Sequence, residues 1–273
     1  MEPELQPQAP AAEFTSALLT PDWVLIGATV QGSHPLLEGR PCQDAQAFLS
    51  MDGVLLIAVA DGLGTALYAQ QGAQLAVQAS LKGAGDLLAA AIPGTEEGWR
   101  ELLQSSILGS RARLEEEASR QGASIADYAT TLILAIVTRG WLAAAHIGDG
   151  AAVMLDGDGV FSTVLTPQNG EYANETFSLT LPDAFERVVF HVCQVNVQAL
   201  GMLTDGLQRL SIHQADSSPH VPFFAPLFQQ LPGINDPGKA ARSLAGFLYS
   251  EKVRKLSGDD KTLVLVGRPK AVV

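Results

Sequence analysis

Soft metal ligands are scarce in this chain: two cysteines, Cys42 and Cys193, and five histidines are scattered over 273 residues. Two thiols close at most one bridge, so a disulfide framework is excluded, and dispersed His and Cys offer no zinc-type ligand set. Both cysteines are expected to be reduced thiols. Positive charge is short as well, with 17 Lys and Arg against 29 Asp and Glu and a formal net charge of −12. No basic field offsets the phosphates of nucleic acid or of an anionic bilayer, so neither is expected as a partner. Long apolar runs are missing; LLAAAI at 87–92 is far too short to cross a membrane. The opening MEPELQPQAPAAEFTSALLT has neither the basic start nor the apolar stretch of a secretory signal. Residues 1–21 are therefore expected to be a flexible leader, and the protein to be cytoplasmic.

What is present is apolar. Hydrophobic residues make up 47% of the chain and charged residues 17%, enough to bury a substantial core in one large domain, expected over 22–268 with a short tail at 269–273. WVLIGATVQG (23–32) and VLLIAVA (54–60) read as strands, the second apolar at successive positions as when both faces are covered. Helical spacing then runs over 65–82, with Gly83 as its stop, and over 96–121, with Trp99, Leu103, Ile107 and Leu114 on one face and Gly122 beyond its end. TTLILAIV, WLAAAHI, AAVML and VFSTV, joined by short Gly- and Asp-bearing turns, predict an antiparallel meander. Strands resume at 187–195 and 199–206. A proline-bearing loop with one short helix follows over 211–238, then a helix opened by Asp236-Pro237 with Ala241, Leu244, Leu248 and Tyr249 inward, and a last strand, KTLVLVG. Strand groups interrupted by paired helices point to an α+β domain with antiparallel sheets.

Aspartates recur where these strands end. Asp61 in LLIAVADGLG, Asp149 in LAAAHIGDG, Asp205 in ALGMLTDGL, Asp259 and Asp260 in SGDDKTLVLV and Asp44 in RPCQDAQAF all flank apolar stretches. A single Asp-Gly is a turn, and Asp156 and Asp158 in LDGDGV are read as one. Locally, Asp61 either caps the element that follows or holds something charged. Repetition at strand junctions favours the second reading, because clustered carboxylates without nearby Lys or Arg repel one another and a hard divalent cation is their natural counter-ion.

The ordered set PCQDA, ADGLG, YATTLILAIV, AHIGDG, MLTDGL and GDDKTLVLV resembles the motif series of the type 2C, or PPM, metal-dependent protein phosphatases, bacterial branch, over about 22–268. The resemblance implies a four-layer αββα sandwich, two antiparallel sheets between helix pairs, that hydrolyses phosphoserine and phosphothreonine monoesters of a phosphorylated protein. The cofactors it implies are two Mg²⁺ or Mn²⁺ ions sharing the attacking water, with a third, weaker ion. Asp61 would bridge the two ions, the carbonyl of Gly62 would ligate one, and Asp205 and Asp259 would ligate the other. Asp149 would join Asp205 at the third, and Asp44 would act beside Asp61 in catalysis by holding water.

The series departs from the family at several positions. Leu63 stands where many members carry a His credited as general acid, Asp260 where Asn is commoner, and Gln43 where an acidic residue is frequent. Arg40, one residue nearer to Asp44 than usual, and His34 are the phosphate-contact candidates. The polar stretch NGEYANETF marks the place of a flap over the site, or of an ordinary connecting loop. These departures motivate a second reading, a catalytically weak or inactive phosphatase-like regulatory or binding module. A third keeps the chemistry on a small phosphorylated molecule.

Overall fold

The computed structural model describes residues 13–168 and 176–270. In chain order the elements are β1 (Glu13–Leu19), β2 (Val24–Val30), α1 (Ser33–Leu37), β3 (Asp44–Met51), β4 (Val54–Asp61), α2 (Ala69–Ala90), α3 (Glu96–Gln121), β5 (Leu132–Val137), β6 (Trp141–Ile147), β7 (Ala151–Asp156), β8 (Phe161–Leu165), α4 (Ala184–Arg187), β9 (Val189–Gln194), β10 (Val197–Leu203), α5 (Gln208–Ser211), α6 (Val221–Gln230), α7 (Pro237–Leu248), α8 (Glu251–Arg254) and β11 (Lys261–Gly267). Six strands pair in the order β1-β2-β11-β10-β7-β8 and five in the order β3-β4-β5-β6-β9, every pairing antiparallel.

Strand alternation builds three apolar layers from these two sheets. On β4, Val54, Leu56, Ala58 and Ala60 face α2 and α3, where Ala73, Ala76, Val77, Leu103 and Ile107 meet them. Leu55, Ile57 and Val59 point the other way, into the space between the sheets with Trp23 and Leu25. On β2, Val24, Ile26, Ala28 and Val30 face Phe224 and Phe228 of α6 and Leu244 and Leu248 of α7. Both faces of both sheets are covered, which is why strands such as VLLIAVA carry apolar residues at every position. The result is the expected four-layer αββα sandwich.

Helix α3 has the expected bounds: Thr95 accepts from the Gly98 amide at its start, and Gly122 at φ 67° ends it in the left-handed region. Helix α2 differs from expectation. It begins only at Ala69, because the Leu63 and Tyr68 amides donate to the carbonyls of Ala129 and Asp127 and hold the preceding turn open. It also passes through Gly83 to Ala90, and a Cβ on Gly83 would lie 3.7 Å from Cα of Ser106 on α3. Gly83 therefore lies inside α2, in ordinary van der Waals range of α3, and is not a stop.

Two further expectations are corrected. The four strands over 130–164 do not form one meander: β5 and β6 belong to one sheet, β7 and β8 to the other, and the turn carrying Asp149 passes between them. Residues 13–19, expected within a flexible leader over 1–21, instead pair along all of β2 as β1, with Leu18 against the inter-sheet layer and Ala17 against the α7 side. Residues 1–12 lie outside the described residues, as do 169–175 of the NGEYANETF stretch and 271–273 of the tail. Cys42 and Cys193 are free thiols. No helix among the described residues is long and apolar enough to cross a membrane.

Candidate metal centre

The β3–β4 register sets Asp44 directly opposite Asp61. Asp61 is held by a pair of threonines at the start of β5. Its amide donates to Oγ1 of Thr131 at 2.9 Å, and its carbonyl accepts from the Thr131 amide at 2.8 Å and from Oγ1 of Thr130 at 3.0 Å. The next residue admits no side chain, because a Cβ on Gly62 would stand 2.3 Å from the carbonyl oxygen of Ala69. At the end of the other sheet, Asp205 follows β10 and the Asp259-Asp260 pair precedes its partner β11. These two strand ends close on each other only because Gly206 is bare: its Cβ would meet the Asp260 carbonyl oxygen at 2.0 Å.

The carboxylates have distinct surroundings. Oδ2 of Asp44 accepts from the hydroxyls of Thr204 and Thr262, both at 2.8 Å, while its Oδ1 is buried without a donor among the described residues. Asp149 accepts from Oγ1 of Thr176 at 2.7 Å on Oδ2, and its Oδ1 is likewise without a donor. Oδ1 of Asp205 is a third such oxygen. Asp260 is different, with one oxygen taking the Gly32 amide and the other the Gln43 amide, each at 2.7 Å. It fastens the start of β11 to the chain entering α1 and β3. Asp259 is exposed, and its Oδ1 accepts from the Asp260 amide at 2.9 Å.

Burial pushes the carboxyl of Asp61 well above the usual carboxylate range, and the charges of Asp44, Asp205, Asp149 and Asp259 push it further. Asp44 is raised in the same way, by burial and then by Asp260. Asp205 is raised to about 7 by burial together with Asp149 and Asp259. Each direction says that this cluster resists carrying its full negative charge unaided. The residues alone suggested no cation among them, but the fold buries Lys261 there, with Nζ on the Asp259 carbonyl. Burial lowers its pKa, against the pull of Asp259, Asp260 and Asp44.

Asp149, Asp205 and Asp259 line one cleft of about 760 Å³ together with His34. Asp44 borders a different recess, of about 440 Å³, with Cys42 and Gln46. Arg40, expected beside the phosphate, is engaged elsewhere: Nε donates to Glu38 at 2.6 Å and Nη1 to Gln43 at 2.8 Å. Among the described residues no three His, Cys, Asp or Glu side chains are already gathered as a finished ion site. The donor chemistry nonetheless fits hard cations. Among the described residues three buried carboxylate oxygens have no hydrogen-bond donor, and one buried Lys, Lys261, is set against the cluster. Thr130, Thr131, Thr204, Thr262 and Lys261 are the supporting residues that motif reading did not single out. Their signal was in plain view, in TT after YA, in LTDG and in DDKT.

Residues 31–249 match the family model for protein phosphatase 2C. Serine/threonine-protein phosphatase 3 of Escherichia coli (strain K12) is 34% identical over 251 residues, 89% of this chain and 97% of that one. Among solved structures, serine-threonine phosphatase 2C from Toxoplasma gondii has a TM-score of 0.63 at 14% identity, covering 94% of this chain and 99% of its own. RsbX in complex with magnesium has a TM-score of 0.54 at 14% identity, covering 93% and 100%. At these identities the two structures have the fold in common with this chain.

Proposed function

Because the chain belongs to the protein phosphatase 2C family, we propose that its two sheets carry a binuclear metal centre at Asp61, Gly62, Asp205 and Asp259, with Asp149 and Asp205 sharing a third, weaker ion. The enzyme is a metal-dependent protein phosphatase acting on phosphoserine and phosphothreonine. Mg²⁺ and Mn²⁺ are the ions we assign, from the all-oxygen donor set and from the magnesium named with the RsbX structure. The observation that carries this reading is the trio of buried, donorless oxygens on Asp44, Asp149 and Asp205.

Bound divalent ions supply an acidified water and neutralise charge on the phosphoryl oxygens. The rest is the work of the chain. Asp61 ends β4 with both its peptide groups tied to Thr130 and Thr131, so its carboxylate is presented from a rigid arm. Asp44 has Oδ2 saturated by Thr204 and Thr262, which leaves Oδ1 as the atom that would hold water of the metal centre. Asp260 has no oxygen to spare and acts as a clamp. His34, on the cleft wall, is the phosphoryl contact. Arg40 joins it by releasing Glu38, an exposed pair worth roughly 1 kcal/mol or less. Water is the nucleophile, so no cysteine is required. The Cys42 thiol is driven far up by burial and by Asp44 and Asp260, which leaves it inert.

The test is phosphate release from a phosphothreonine peptide with Mn²⁺. EDTA abolishes it, and Asp61→Ala or Asp205→Ala lowers kcat by about 10²-fold or more. Turnover that persists in EDTA, or in both variants, would sink the assignment.

A further inference from the structure

In a chain of net charge −12, with 29 acidic and 17 basic residues, a cleft wall drawn at random would be acidic. The wall of the 760 Å³ cleft is not. Its acidic lining is Asp149, Asp205 and Asp259, the residues assigned to metal, and every other charged residue lining it is basic: Arg209, Arg254 and Lys255, with His34 beside them. Once the three carboxylates are committed to divalent ions, the charge left on the wall is entirely positive.

The chain brings these cations there by short spacings. Arg209 follows Asp205 by four residues through the turn into α5, and Lys255 precedes Asp259 by four, just beyond α8. All three basic side chains are exposed. Arg254 is steadied with its guanidinium 5.1 Å from the Tyr249 ring centroid. Lys255 meets Glu251 at 2.6 Å, but with side chains 72% and 81% exposed that contact is screened by water and exchangeable. Arg209 has no ion-pair partner among the described residues. The cations are therefore unspent, and the phosphoryl group does not need them, because its charge is met by the metal ions. They remain available for negative charge next to the phosphorylated residue.

We propose that Arg209, Arg254 and Lys255 select phosphoprotein segments that carry acidic residues close to the phosphoserine or phosphothreonine. The inference rests on the phosphatase assignment above and adds a substrate class to it. Arg209 and Lys255 come from two separate chain segments that line the same cleft, so a segment entering it meets positive charge from both. Because these contacts form equally before and during hydrolysis, they lower KM and leave kcat to the metal centre.

The experiment compares three phosphothreonine peptides of one length with Glu, Ala or Lys flanking the phosphothreonine, each with Mn²⁺ and with the concentration of salt varied. The expected result is a kcat/KM about 5- to 10-fold higher for the Glu peptide than for the Ala peptide, carried by KM and shrinking with salt. The paired change Arg209→Ala with Lys255→Ala brings the ratio near one, and Arg209→Glu with Lys255→Glu reverses it. Lys82→Ala, on the outer face of α2, leaves it as in the native chain. Equal rates for the three peptides on the native enzyme, or a preference that survives the double substitution, overturns the selection while the phosphatase assignment stands. Absence of hydrolysis of every peptide overturns both. All substituted positions are exposed, and retention of the Mn²⁺-dependent rise in Tm reports that each variant is folded.

Discussion

A carboxylate is defined by what its two oxygens meet, and at this scale Asp44 and Asp260 part company. Both are buried, and both sit at the open ends of apolar strands. Asp260 is saturated by two backbone amides, whereas Asp44 is half saturated by two hydroxyls and keeps one oxygen bare. A buried polar atom without a partner costs on the order of 1–3 kcal/mol, so three of them at these strand ends are a cost that the proposed ligand would offset. His146 shows the same accounting in an imidazole. It is fully buried on β6, with Nε2 against the Thr166 carbonyl at 2.9 Å and Nδ1 without a partner among the described residues, and burial pushes its pKa down to about 4. The unfolded chain takes up the proton near pH 6.5 and the folded chain only near pH 4, so the contribution is complete above about 6.5 and lost as pH falls toward 4. The linked stability is about 3 kcal/mol as an upper figure. Urea unfolding of the native enzyme and of His146→Gln, followed from pH 7 to pH 4.5, should show the native chain losing more stability than the variant across that window.

At the scale of elements, close approach decides what helical periodicity leaves open. Gly72 and Gly109 both lie inside helices, where Ala is favoured over Gly by about 1 kcal/mol. A Cβ on Gly109 of α3 meets open space. A Cβ on Gly72 of α2 stands 2.3 Å from the carbonyl oxygen of Tyr128, in the turn that leads into the Thr130–Thr131 support of Asp61. Gly109→Ala should therefore stabilise the enzyme by up to about 1 kcal/mol, while Gly72→Ala should destabilise it by about 1–3 kcal/mol through overpacking and reduce turnover as well. Chemical denaturation beside the phosphopeptide assay separates the two. This opposition also explains why α2 was misjudged from its sequence. Gly83 resembles a stop when only the helix is considered and lies inside α2, in van der Waals range of α3, once the second helix is present.

Over the whole molecule, the site is a junction between two sheets that have no strand in common. Asp44 and Asp61 come from one sheet, Asp205 and Asp259 from the ends of β10 and β11 in the other, and Asp149 from the turn that passes between them. Electrostatic repulsion across that junction works against closing the sandwich, and cations relieve it. Metal ligation also requires the carboxylates to be deprotonated, and burial with mutual repulsion raises Asp44, Asp61 and Asp205, the last to about 7. In the chelated protein these groups hold protons that the unfolded chain has already released, so their contribution to stability falls as pH rises, for Asp205 through the interval from about 4 to 7. Mn²⁺ should therefore raise Tm, and the difference between Mn²⁺-loaded and EDTA-treated protein should widen as pH increases from 5 to 8. A difference that is flat or narrows with pH, read by calorimetry, contradicts metal binding at these carboxylates.

The sequence by itself determined an α+β domain of antiparallel sheets, the bounds of α3, the buried strands and the motif series of Asp44, Asp61, Asp149, Asp205 and Asp259, because each is written in local chemistry: periodicity, caps, and a charged residue closing an apolar run; the αββα layering was what the resemblance of that series implied. Only the tertiary structure decided that β1 belongs to the sheet, that the strand series divides at Asp149, that Asp260 is a buried clamp where its neighbour Asp259 is exposed, and that Lys261 is buried among carboxylates. Those outcomes depend on which distant residue supplies the opposing donor or the opposing surface. A strand edge, a cleft wall and a hydrogen-bond partner all belong to pairs of segments, and no single segment encodes its partner.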